Sequence, residues 1–140
     1  MTIQEIESEI IDDFSIYDDW MDKYEYIIDL GKELPMIDEA EKVEEKLIRG
    51  CQSRVWLNAE EKNGLIEFTA DSDAIITKGI IALLIRVLSN QKAENIATAE
   101  LNFIDEIGLK EHLSPTRSNG LVSMVQQMKL YAVAIKAKIS

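Results

Sequence analysis

The sequence predicts an α+β domain: a small three-stranded antiparallel sheet packed against several helices. Two amphipathic stripes fill the first 32 residues, and alternating segments flank Asn63-Gly64. An almost wholly apolar segment then runs from 74 to 89, with further helical patterns after it. Helices, then strands, then helices is the order of an α+β fold. At 140 residues and 46% apolar composition the chain fits one domain, residues 1–140, with a sizeable core.

Ile3, Ile6, Ile10 and Phe14 recur at helical spacing and predict a helix over 2–14. Ser15 breaks the pattern and can cap the next helix, over about 17–32, with Trp20, Tyr24, Ile27, Ile28 and Gly31 on one side. Gly31 and Pro35 are its stop signals. Lys46-Leu47-Ile48 predicts a short first strand. Ser53 to Glu60 alternates, with Val55 and Leu57 on one face, and Leu65 to Ala70 forms its partner across an Asn63-Gly64 hairpin turn. Asp71-Ser72-Asp73 offers capping oxygens for a central buried helix over 74–89. Gly79 in its middle costs up to ~1 kcal/mol against alanine, which points to close packing. Residues 93–113 read as short helical pieces broken near Gly108. Ser114 to Gly120 reads as a loop of turn formers. A C-terminal helix follows, with Leu121, Val125, Met128, Ala132, Ile135 and Ile139 as its stripe.

The formal charge of −11 is unevenly spread. Residues 1–45 hold 16 acids and 3 bases, a net of −13, and the remainder holds 10 acids and 12 bases, a net of +2. An acidic chain without a basic stripe argues against a nucleic-acid partner. The acidic half reads first as a solvated helix face and second as a surface that steers a basic protein. The longest apolar run, 79–85, is far short of the ~20 residues a membrane helix needs. Met1-Thr2-Ile3-Gln4-Glu5 has no signal-peptide character. A lone cysteine fits a reducing compartment, so the expected location is cytoplasmic.

That cysteine, Cys51, is the chemical focus. A short apolar pair precedes it and a β-favouring run follows, which puts the thiol at a loop tip. One thiol closes no internal disulfide and cannot alone hold zinc or an iron–sulfur cluster. Its chemistry is one-thiol chemistry: attacking a group or carrying one. The plain alternative is a buried small hydrophobe. Against that stand Gly50, which permits unusual backbone shapes, and the polar neighbours Arg49, Gln52, Ser53 and Arg54. The two arginines could favour a thiolate. The only histidine, His112, would activate Cys51 if the two met, but a histidine near a helix end is more often a cap or packing residue. Arg117 could hold an anion, pair with an acid or simply be solvated. There is no metal-ligand cluster, phosphate loop or Ser–His–acid signature, and no cofactor is expected.

Gly50-Cys51-Gln52-Ser53-Arg54-Val55-Trp56 resembles the cysteine loop of SufE-type sulfur acceptors. Trp20 with Tyr24 and Leu30-Gly31-Lys32-Glu33-Leu34-Pro35 resembles that family's N-terminal helical segment. Asp71-Ser72-Asp73-Ala74 with Lys78-Gly79-Ile80-Ile81-Ala82-Leu83-Leu84 resembles its strand-to-helix junction. Gly108-Leu109, His112-Leu113-Ser114-Pro115 and Arg117-Ser118-Asn119-Gly120-Leu121 resemble its C-terminal loop and helix start. One departure is visible: Lys46 stands where members often have asparagine.

The resemblance implies a fold shared with IscU-type iron–sulfur scaffolds. It also implies a role: a SufS-type cysteine desulfurase, a pyridoxal-phosphate enzyme, passes persulfide sulfur to Cys51, and the sulfur moves on toward a SufB-containing scaffold complex. The pyridoxal cofactor belongs to the desulfurase. Gly50 and Gln52 match the loop, and Asp73 and Arg117 match motif positions expected to border and aim it. A homodimer is left open. The competing readings are an iron–sulfur scaffold, which normally brings three cysteines, a cysteine hydrolase or peroxidase with His112 as base, and an adaptor that needs no thiol.

Overall fold

A computed structural model describes residues 1–139, without the Ile139 side chain, the last position of the predicted C-terminal stripe. Helix α1 spans Ile3–Ser15 and begins in a reciprocal capping box: Thr2 Oγ1 accepts from the Glu5 N–H, and Glu5 Oε1 accepts from the Thr2 N–H. Helix α2 spans Trp20–Gly31. Its cap is Asp19, whose carboxylate accepts the Asp22 N–H at 3.0 Å, and not the predicted Ser15. Ser15 instead closes α1, its hydroxyl donating back to the Asp12 carbonyl.

The sheet has two strands, β1 Val55–Lys62 and β2 Leu65–Ser72, antiparallel with Val55 opposite Ser72. Asn63 and Gly64 turn the hairpin with φ of 55° and 83°. The third predicted strand does not form. Lys46 closes a 3-10 turn from Glu44, Leu47 makes only a single bridge to Trp56, and Ile48 donates to the Val55 carbonyl. Gly50, at φ +90°, then turns the chain out of extended geometry, so the ladder stops. On the other edge Met36 makes a single parallel bridge to Ala70.

Helix α3, Ile75–Leu88, is buried along nearly its whole length, as predicted. The capping oxygens predicted for it are employed elsewhere. Its first flanking residue, Ala74, has no side-chain cap, and β2 continues through Ser72. Asp71 pairs with Lys42 at 2.5 Å and Lys78 at 3.2 Å, and accepts the Ser72 N–H. Gly79 is a contact point with α2: a Cβ there would collide with the Ile27 carbonyl oxygen. Short helices α4 (Ala93–Ala97) and α5 (Phe103–Glu106) follow, and Gly108 turns the chain at φ +73°.

Helix α6, Pro115–Ile139, starts earlier than the sequence pattern predicts. The Ser114–Gly120 stretch is helix from Pro115 onward. Ser114 Oγ accepts the Arg117 N–H and the Ser114 carbonyl accepts the Ser118 N–H, so serine caps and proline occupies the first turn, where it needs no N–H partner. Residues from all six helices and both strands meet in one hydrophobic cluster centred on α3 and the hairpin. No helix among the described residues is long and apolar enough to cross a membrane.

Candidate functional site

Cys51 lies on the loop that joins the Leu47 bridge to β1, and its thiol turns toward the first turns of α6. The S–H donates to the Gly120 carbonyl at 3.6 Å, and the residue is half-buried. Beneath it is a cavity of about 110 Å³. Thr77 and Ile80 of α3 form one wall, and Thr116, Arg117, Gly120 and Met124 of α6 form the other. Gln52 and Ser53 complete the rim.

The loop is held at both ends. At its start Gly50 lies so close to Ser123 that a Cβ would come within 2.5 Å of the serine hydroxyl. At its end Arg54 and Asp73 bond reciprocally: the Arg54 N–H donates to the Asp73 carboxylate at 3.1 Å, and the Asp73 N–H donates to the Arg54 carbonyl at 3.3 Å. Asp73 thus meets the loop through its backbone, while Arg117 meets the cavity itself. The exposed Gln52 stands at the rim beside the thiol.

Burial pushes the Cys51 thiol up from its ordinary pKa. This is the reverse of the thiolate stabilisation that Arg49 and Arg54 suggest in the sequence. Both arginine side chains are exposed and solvated, whereas the sulfur has lost water. At rest Cys51 is a protonated, sheltered thiol.

His112 is not beside Cys51. Its ring stacks on Trp20 with centroids 3.9 Å apart, its Nδ1 lies 3.0 Å from the Gly108 carbonyl, and its own carbonyl accepts the Tyr24 hydroxyl. Neither a carboxylate nor an imidazole lines the cavity, so a hydrolase or peroxidase mechanism finds no general base there. Lys46, the departure from the family pattern, donates to Asn58 Oδ1 at 2.7 Å and lies over the Tyr131 ring, anchoring the chain before the loop.

Ser123, Thr77, Ile80 and Met124 are site residues that the sequence reading does not pick out. The signal was the spacing of Arg117, Gly120 and Met124, one face of a helix, hidden while 114–120 is read as loop. A larger groove of about 610 Å³ opens beside the N-terminus. Its buried carboxylate, Glu7, already accepts the Phe103 N–H at 3.0 Å, and no cysteine, serine or histidine lines it.

A lone sheltered thiol over a small cavity, on a pinned loop between a hairpin and two helices, defines a thiol-bearing α+β protein. Residues 8–132 match the family model described as "SufE: Fe-S metabolism associated domain". An uncharacterised SufE-like protein of Rhizobium meliloti (strain 1021) is 40% identical over 126 residues, covering 86% of this chain and 90% of its own. A second, from Rhizobium etli, is 41% identical over 126 residues, covering 86% and 85%. The chain belongs to the SufE family and so to the proteins of iron–sulfur metabolism. The solution structure of a hypothetical protein from Thermus thermophilus has the same fold, with a TM-score of 0.77 at 18% identity over 96% of this chain and 97% of that one.

Proposed function

We propose that this protein is a sulfur acceptor and carrier in iron–sulfur cluster assembly. Cys51 takes sulfur from the persulfide of a SufS-type cysteine desulfurase, stimulates that enzyme by clearing its cysteine, and passes the sulfur to a SufB-containing scaffold. The observation that carries the reading is the single thiol facing a cavity with no carboxylate or imidazole in its lining.

Persulfide transfer is thiol exchange and needs only a reachable thiolate. The Cys51 thiolate attacks the terminal sulfur of the desulfurase persulfide. The S–S bond of the donor breaks as a new S–S bond forms on Cys51. The donor cysteine leaves as a thiolate and takes up the proton that Cys51 gave to solvent. Thiols and sulfane sulfur balance, and no oxidant enters. The carbon–sulfur cleavage that supplies the persulfide needs an electron sink, which the desulfurase's pyridoxal phosphate provides.

Cys51 works in two positions. Sheltered at rest, a persulfide is protected from exchange with small thiols; extended, the loop reaches the donor. Gly50 supplies the hinge, and Gln52 and Ser53 rehydrate at little cost when the loop leaves the surface. Arg117 and Asp73 dock and aim the loop. A reducing cytoplasm suits a thiol that must stay free.

The test is intact-mass analysis after incubation with a SufS-type desulfurase and cysteine. Wild type gains one sulfur and Cys51→Ser gains none. A mass gain in the serine variant, or an unmodified wild type, overturns the reading.

A further inference from the structure

We infer that Arg49, Arg54 and Arg117 form a cationic collar around Cys51, which docks on an acidic rim of the sulfur-donating enzyme. The inference rests on the sulfur-transfer reading and adds the docking surface and the charge of the partner.

The chain has four arginines in a sequence of net charge −11; two of them flank the one thiol on its loop and a third lines its cavity. Arg49 lies two residues before Cys51, Arg54 three residues after it, and Arg117 lines its cavity. All three are exposed, and none is ion-paired among the described residues. The fourth, Arg86, is paired with Glu9 at 3.4 Å and Asp13 at 3.2 Å. Asp73, the acid nearest the loop in the hydrogen-bond network, gives its carboxylate to the Arg54 backbone and leaves the guanidinium free.

Exposed, uncommitted guanidinium groups bind carboxylates in bidentate fashion and are enriched at the energetic centres of interfaces. Ile75, 67% exposed and two residues after Asp73, adds an apolar contact beside the collar. A nucleic-acid partner would need a longer basic track than three residues on an otherwise acidic chain.

Magnitudes decide which charge governs the encounter. The whole molecule is negative and would repel an acidic partner. At physiological ionic strength, however, charges act over about 8 Å, so the residues at the contact dominate. The collar then turns the chain thiol-first toward the donor.

The test is stopped-flow association of the full chain with a SufS-type desulfurase across a salt series that starts at about 0.1 M, where charges act over about 10 Å and the contact residues already dominate, with intact mass read at the end. The wild-type association rate constant should fall about 10-fold from low to high salt. R49Q/R54Q should be about 10-fold slower at low salt and lose most of the slope. K92Q/K138Q, two exposed lysines outside loop and cavity, should follow wild type. Melting curves confirm that both double variants fold. A wild-type rate that is flat or rises with salt overturns the collar, as does an unchanged slope in the arginine variant. If wild type gains no sulfur, the transfer reading fails and the collar fails with it. If it gains sulfur while association ignores the arginines, only the collar fails.

Discussion

Cys51 and Gly120 meet thiol to carbonyl at 3.6 Å, across the seam between the loop and α6. A Cβ on Gly120 would lie 3.5 Å from the same sulfur, an ordinary contact that closes over it. Gly120→Ala should therefore fold, with stability raised by up to ~1 kcal/mol from helix propensity. The added methyl takes the space beside the sulfur, so alkylation of native Cys51 should slow several-fold and persulfide capacity should fall. Timed alkylation and intact mass check this; faster alkylation would contradict it.

Gly50 makes the opposite case. Its φ of +90° disfavours any side chain, and a Cβ would collide with the Ser123 hydroxyl. Gly50→Ala should cost about 1–3 kcal/mol in the resting loop. The cheapest relief is for the loop to leave α6. Native Cys51 should then be alkylated at close to the rate of the urea-unfolded chain, with a small loss in melting temperature. An alkylation rate equal to wild type would show that the loop tolerates the residue in place.

The pH dependence follows from burial of the thiol. The fold raises the Cys51 pKa, so below the ordinary thiol value of about 8.5 both folded and unfolded chains keep the proton and the sheltered thiol's contribution to stability is intact. Above it the unfolded or extended loop ionises first, and that contribution is lost as pH rises through the raised value. The pH midpoint of Cys51 alkylation should thus lie higher in the native protein than in urea. A midpoint at or below the unfolded one would mean the arginines outweigh burial after all.

Gly79 tests the scaffold rather than the site. With the Ile27 carbonyl where a Cβ would go, Gly79→Ala must push α2 from α3, costing about 3 kcal/mol or more despite alanine's better helix propensity. Denaturant unfolding measures it. A neutral or stabilising effect would show that the two helices separate freely.

Much of this architecture is legible from side-chain periodicity. Ile3, Ile10 and Phe14 are buried as their spacing predicts, as are Val55 and Leu57 on one face of β1 and Phe68 and Ala70 on β2. Gly79 marked a close helix contact because a glycine inside so apolar a helix needs a reason. The third strand failed because Gly50 turns the chain; the other failures share one cause, that polar residues have several uses. Ser114, Pro115 and Asn119 suit a loop and equally a capped helix start, and tertiary contact with Cys51 favours the helix. Asp71 could have capped α3, but two lysines, one from a segment about 30 residues earlier, claim its carboxylate. The identity of Cys51 as the focal residue was visible, and so was its need for shelter; the residues that shelter it were not, because Thr77, Ile80 and Met124 converge only in three dimensions.

The hairpin tip offers a practical handle. A Cβ on Gly64 would meet nothing within 4 Å, and the turn closes a strand whose other end adjoins the cysteine loop. At about 3.3 Å per residue, the eight residues of β1 set Asn63-Gly64 roughly 25 Å from that loop. A fluorophore or affinity peptide grafted there would leave the thiol's surroundings untouched. Transfer of a single sulfur atom could then be followed from the far end of the molecule, without a label competing for the only cysteine.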